Sequence, residues 1–178
     1  MRNYFLETER IGFSTWDMND YDLALSLWGD AAVTQHISKT GIFTPQDIMN
    51  RLKKEIENQQ QFKVQYWPIF EKNTGDFIGC CGLRPYDIEN KIYEIGFHLR
   101  SGHWGKGLGP EAAKAVIRYA LFDLDANGLF AGHNPNNTNS RKVLEKLGFT
   151  YVGDEFYEPT GLYHPSYKFM FNIDGGNT

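Results

Sequence analysis

Gly105, Gly107 and Gly109 alternate with Lys106 and Leu108 inside the stretch HWGKGLGPEAAKAVIRYALF, residues 103–122, and Pro110 leads straight into an amphipathic run. Residues of these types at this spacing can hold phosphate. Glycine reaches positive φ and lets a ligand come close to the main chain. The first turn of a helix carries amides without internal partners, and such amides bind anions. Proline suits the first helical position because its missing N–H is not needed there. Lys106 adds a positive charge at the rim. The plain alternative is a glycine turn that only caps a helix, since a lone glycine motif is a weak signal. Two familiar phosphate loops are excluded by spacing. A Walker A loop needs Lys-Ser/Thr after its last glycine, whereas Leu108 follows Gly107. A dinucleotide fingerprint has a third glycine where Pro110 stands.

A second block, NPNNTNS at 134–140, precedes VLEKLGF at 143–149. Alone it reads as helix capping, with Asn137 as N-cap and Ser140 in the first turn.

The elements that must position these blocks follow from periodicity. A strand is expected over 9–16, and a helix from about Asp20 with Leu23, Leu27 and Trp28 on one side. Thr44-Pro45-Gln46-Asp47 starts a second helix that runs to about Gln60. The period then shortens. Residues 66–71, 76–83 and 92–99 read as successive strands, the first two joined by a tight turn at 72–75. Residues 110–124 form the strongest helix, with Ala112, Ala113, Val116, Ile117, Ala120, Leu121 and Leu124 on one face. A short strand at 129–133, a helix at 137–147 ended by Gly148, and strands at 151–157 and 167–173 complete the chain. In the last of these, Tyr167, Phe169, Phe171 and Ile173 would share a face. The order predicts one α/β (α+β) domain over residues 1–178 on a mixed, mostly antiparallel sheet, neither a Rossmann fold nor a barrel.

Taken together, the glycine loop, the strand YEIGFHL at 93–99 and the NPNNTNS…VLEKLGF element resemble the GNAT superfamily of N-acetyltransferases, over roughly residues 66–171. The family writes its pyrophosphate loop Q/R-x-x-G-x-G/A; here Trp104 replaces Gln or Arg. The WGKG form is similar to the branch containing ribosomal-protein N-terminal acetyltransferases. The resemblance implies a sheet splayed at its centre with helices on both faces, and acetyl-CoA as co-substrate. Pantetheine would lie along Phe97, His98 and Leu99, and the pyrophosphate on the amides of Trp104, Gly105, Lys106, Gly107, Leu108 and Gly109. Asn134, Asn137 and Ser140 would line the opposite wall.

The implied reaction is direct attack of an amine on the thioester, with backbone amides at the splay supplying an oxyanion donor worth ~3 kcal/mol. An α-amine of pKa ~8 is about a tenth neutral at pH 7, so a weak base suffices for it; a lysine of pKa ~10.4 is under about a thousandth neutral. Glu94 is the candidate base and His98 the alternative, with its face unassigned because the family often has a bulge there. No tyrosine lies between Asn134 and Phe149, and Arg141 stands four residues after Asn137. Ser140 is therefore the candidate acid. The aromatic segment 155–167 reads either as a long turn or as an acceptor-side lid. Tyr157, Tyr163 and His164 would face the acceptor, with Trp28 and His36 from the first helices completing the pocket, although Trp28 reads equally as a core residue.

Composition sets the outer bounds. The 178 residues are 41% hydrophobic and 22% charged with net charge −4, an ordinary globular mixture that argues against general nucleic-acid binding. No apolar run approaches the length of a membrane span, and MRNYFLETER lacks a signal-peptide core, so a cytoplasmic enzyme is expected. Adjacent Cys80 and Cys81 would point to opposite faces of a strand, against a disulfide or metal pair. The expected partner is a small-molecule amine or a peptide N-terminus, with no metal, nucleic acid or membrane, the enzyme being a monomer or homodimer.

Overall fold

The computed structural model describes residues 2–171. Strands β1 (Leu6–Glu7) and β2 (Ile11–Phe13) form a short hairpin. Helices α1 (Tyr21–Trp28), α2 (Ala31–Thr34) and α3 (Pro45–Phe62) follow. Then come β3 (Tyr66–Glu71), β4 (Phe77–Asp87), β5 (Ile92–Leu99), α4 (Leu108–Phe122), β6 (Gly128–Gly132), α5 (Thr138–Lys146), β7 (Thr150–Tyr157) and β8 (Leu162–Met170). The eight strands make one sheet in the order β1-β2-β3-β4-β5-β6-β8-β7. Every neighbouring pair is antiparallel except β5 and β6.

Alternation along the strands builds two cores. On one face, Cys81, Leu83, Ile95 and Leu129 pack against Ala112, Ala113, Val116 and Ala120 of α4, and Leu144 of α5 joins them. On the other, Tyr66, Phe70 and Cys80 pack against Leu27 and Trp28 of α1 and Ile48 and Leu52 of α3. Cys80 and Cys81 thus lie in different cores, as alternation requires, and both are free thiols. Thr44 and Asp47 close a reciprocal capping box at the start of α3.

The parallel pair supplies the opening. Only Ile92, Tyr93 and Glu94 of β5 pair with Gly128, Leu129 and Phe130 of β6. Beyond that point β6 continues to pair with β8 as far as Gly132 opposite Ser166. Ile95–Leu99 remain paired with β4 only, so the sheet splays from Glu94 onward.

Several boundaries differ from expectation. The strand expected over 9–16 is shorter, Ile11–Phe13, because residues 9 and 10 belong to the β1–β2 turn and the strand stops before Ser14. Strand β4 runs on to Asp87, which continues the pairing past Leu83. Helix α4 begins at Leu108, with Gly107 as its left-handed N-cap, so Pro110 is its third residue rather than its first. Proline is tolerated there because that N–H also lacks an intrahelical acceptor. Asn137 is the N-cap of α5 but makes no side-chain cap bond. Asn134 organises that turn instead, its side chain accepting from the Asn136 amide at 2.9 Å and its carbonyl from the Asn137 amide at 2.9 Å. The last strand starts at Leu162, five residues before Tyr167, because its hairpin partner β7 extends to Tyr157. Ile173 lies outside the described residues. Among the described residues no helix is long and apolar enough to cross a membrane.

Candidate active site

A cleft of about 800 Å³ occupies the splay. Its walls bring together Glu94, Phe97, His98 and Leu99 of β5, the loop residues Trp104, Gly105, Gly107, Leu108 and Gly109, and Asn134, Asn137 and Ser140. Two blocks far apart in the chain therefore face one cavity.

Side-chain hydrogen bonds fix the glycine loop at both ends. Trp104 folds back so that its indole N–H donates to the Leu99 carbonyl at 2.9 Å, tying the loop to the end of β5. Arg10, at the start of β2, donates from Nη1 to the Lys106 carbonyl at 2.9 Å and from Nε to Glu111 at 2.7 Å. Glu111 also accepts from the Thr8 hydroxyl at 2.6 Å. Burial pushes the Glu111 carboxyl up, but its bonds to Thr8 and Arg10 outweigh this and hold it below the usual carboxylate range. Gly105 and Gly107 have φ of 71° and 74°. The Phe97 ring lies against Gly109, where a Cβ would come within 3.0 Å of it. The Lys106 side chain is not part of the cleft lining, and its carbonyl is occupied by Arg10.

The far end of the cleft is polar and aromatic. Tyr66, Arg84, Glu94, His98 and Tyr157 all line it. Arg84 and Glu94 stand opposite each other on β4 and β5, and the Arg84 guanidinium carbon lies 4.3 Å from the Tyr66 ring centroid. Gly96 has no side chain because a Cβ there would collide with the Tyr66 hydroxyl. The His164 Nε2 is 2.7 Å from the Thr160 hydroxyl, and its ring tilts on Tyr157 with centroids 4.7 Å apart. His36 contributes to the wall, and its carbonyl accepts from Asn134 Nδ2 at 3.2 Å.

Pairing between β4 and β5 is continuous from Arg84–Glu94 to Gly79–Leu99, without a bulge. His98 therefore shares the Glu94 face. The Trp28 indole N–H donates to His98 Nδ1 at 3.1 Å. That bond occupies the lone pair of the neutral ring and leaves Nε2–H as a donor, so His98 does not have the free nitrogen that the alternative base role needs. Burial, then the charges of Arg51 and Arg84, hold its pKa well below the ordinary imidazole value.

This has a sign. The folded ring stays neutral while the unfolded ring takes up a proton below about 6.5. Stability supplied by neutral His98 is present above that pH and is lost as pH falls, by up to ~1.4 kcal/mol per unit. His164, lowered by burial and then by His133, adds in the same direction. The melting temperature should fall between pH 7 and 5, and His98→Gln, which keeps an acceptor for Trp28, should flatten that slope. An unchanged slope in the variant would remove His98 as the cause.

Two expected acceptor residues are corrected. Trp28 is fully buried, packed 5.5 Å from Trp16, and reaches the site only through His98. Tyr163 is 65% exposed, packs on Phe156 and is absent from the cleft lining, because alternation in β8 turns it away from His164. The segment read either as a long turn or as a lid is a hairpin, with Tyr157 and His164 lining the cleft. The sequence reading missed Arg84, Tyr66 and the Arg10–Glu111 clasp. Arg84 carried a legible signal, a charge directly after the apolar run IGCCGL.

The acetyltransferase (GNAT) domain family matches residues 10–150. The chain belongs to the GNAT acetyltransferases. This acetyltransferase is 31% identical over 148 residues to an uncharacterized N-acetyltransferase p20 of Bacillus licheniformis, covering 83% of each chain. A GNAT-family acetyltransferase structure from Bacillus anthracis superposes with TM-score 0.77 at 22% identity, covering 93% of this chain and 97% of that one. A ribosomal L7/L12 α-N-protein acetyltransferase in complex with coenzyme A gives TM-score 0.78 at 17% identity, covering 94% and 97%. The acetyltransferase is thus an acetyl-CoA-dependent enzyme of this fold.

Proposed function

We propose that the enzyme acetylates a primary amine by direct attack in a ternary complex. One observation carries the reading: the glycine loop, the unpartnered edge of β5 and the free carboxylate Glu94 all open into a single cleft. Free helix-terminal and loop amides fit a pyrophosphate, and the edge of β5 beyond Glu94 fits an extended amide-bearing arm. Bound acetyl-CoA supplies an activated acetyl group. Glu94 takes a proton from the acceptor ammonium, the neutral amine nitrogen bonds to the acetyl carbon as the C–S bond breaks, Ser140 protonates the departing thiolate, and the second proton lost by the acylated nitrogen replaces the one Ser140 gave. Placement of both substrates in one cleft supplies much of the acceleration.

A small acceptor is favoured by the segment after α2, whose Gln35, His36 and Ile37 line the cleft. Besides the His36–Asn134 bond, Lys39 pairs with Glu158 on the β7–β8 turn at 3.5 Å. These contacts join the segment to the Asn134 turn and to the β7–β8 turn. A protein N-terminus is the second reading, favoured by the ribosomal-protein acetyltransferase among the similar structures. Thiol release from acetyl-CoA across a panel of amines and peptides tests both. Turnover on small amines is expected. Tight acetyl-CoA binding with no turnover on any acceptor would leave a non-catalytic acyl-CoA sensor and sink the enzyme reading.

A further inference from the structure

Arg84 is a cation in the acceptor end of the cleft whose side chain makes no hydrogen bond or ion pair among the described residues. The carboxylates around it are differently engaged. Glu55 accepts from Arg51 at 2.8 Å and from the Tyr66 amide at 2.7 Å. Glu155 accepts from the Tyr86 hydroxyl at 3.1 Å. Glu94, across the strand, lies beyond ion-pair distance of Arg84 and is also without a side-chain hydrogen bond among the described residues. The neighbouring rings supply no anion: His98 is neutral, and burial holds the Tyr66 hydroxyl protonated. Tyr66 packs against the guanidinium carbon and so fixes its plane.

A fixed guanidinium with its N–H groups open to a cleft is suited to a carboxylate, which it can bind through two parallel hydrogen bonds. Directly opposed residues on antiparallel strands stand about 5 Å apart. A cation at Arg84 and an anion at Glu94 therefore present opposite charges at a separation of a few bonds, which is the charge pattern of a zwitterion. We propose that the acceptor is a free amino acid, its carboxylate held by Arg84 and its amine delivered to Glu94. This rests on the acetyltransferase reading of the cleft. The same cation disfavours polyamines, which would bring a second positive charge to Arg84, and peptides, whose first carbonyl is an amide.

The discriminating experiment compares the common amino acids with their α-amides, their decarboxylated amines and dipeptides by thiol release. The free amino acid should exceed its own amide by about 100-fold in kcat/KM, the scale of one lost hydrogen bond between charged groups. Arg84→Gln should collapse that ratio toward one, and Arg84→Lys should restore part of it. The thermal shift given by acetyl-CoA should persist in both variants, which reports folding. Amides, polyamines or dipeptides turned over as well as free amino acids would overturn the proposal while leaving acetyl transfer intact. If nothing is turned over, acetyl transfer fails, and binding to the CoA-loaded protein still reads the contact. There an N-acetylated amino acid should bind more tightly than its amide, in an Arg84-dependent way; equal binding overturns the assignment.

Discussion

Gly107→Val should abolish acetyl-CoA binding, with at least a 100-fold loss of affinity, in a protein that remains folded. Gly107 has φ of 74° and caps α4. A β-branched residue in that left-handed region is strained by at least about 1–2 kcal/mol. The cause is conformational, because the Cβ would point toward Arg10 Nη2 at 3.6 Å rather than into open space. Arg10 holds the Lys106 carbonyl, and in a planar trans peptide the Gly107 N–H must then point the opposite way. Valine methyls pressed against Arg10 would turn that peptide and redirect the amide. Each charge-assisted bond lost to phosphate costs about 1.5–3 kcal/mol, so strain and one misdirected amide reach the stated loss. The α4 core of Ala112, Val116 and Ala120 is untouched. Calorimetric titration with acetyl-CoA measures the effect; unchanged affinity would show that the loop does not hold the cofactor.

Glu94→Gln should lower kcat by roughly 10²–10⁴, the range for loss of a general base, while acetyl-CoA affinity stays within about twofold. The change is isosteric and Glu94 makes no internal hydrogen bond among the described residues, so packing offers no competing explanation. Its effect should be greatest at low pH, where more of the amine carries the proton that Glu94 removes. An equal loss at every pH would assign Glu94 to placement of the acceptor instead.

Gly107 shows where sequence reading succeeds, and Trp28 and Tyr163 show where it stops. The glycine loop was legible because its features are local: positive φ, short side chains and the start of a helix, all within a few residues. The strand at Ile92–Leu99 and the helix behind the loop were equally plain, since their periodicity is contiguous. Reading Trp28 as an acceptor contact failed for a tertiary reason. A tryptophan on the inner side of an amphipathic helix has the same pattern at a core as at a pocket, and here the fully buried ring meets His98 rather than the cleft. Tyr163 failed by register, because one residue along β8 exchanges inside for outside.

Sequence by itself determined the family, the order and type of the main elements, and the glycine loop and Asn134–Ser140 stretch that line the cleft. It could do so because each of these is encoded in a continuous stretch. Tertiary structure alone decided which distant residues meet at the cleft and around it. The pairing of Arg84 with Glu94, the regular β5 that places His98 beside them, and the clasp of Arg10 on Lys106 and Glu111 join residues distant in the chain. Their contacts depend on strand register and on the splay between β5 and β6, which no local pattern specifies.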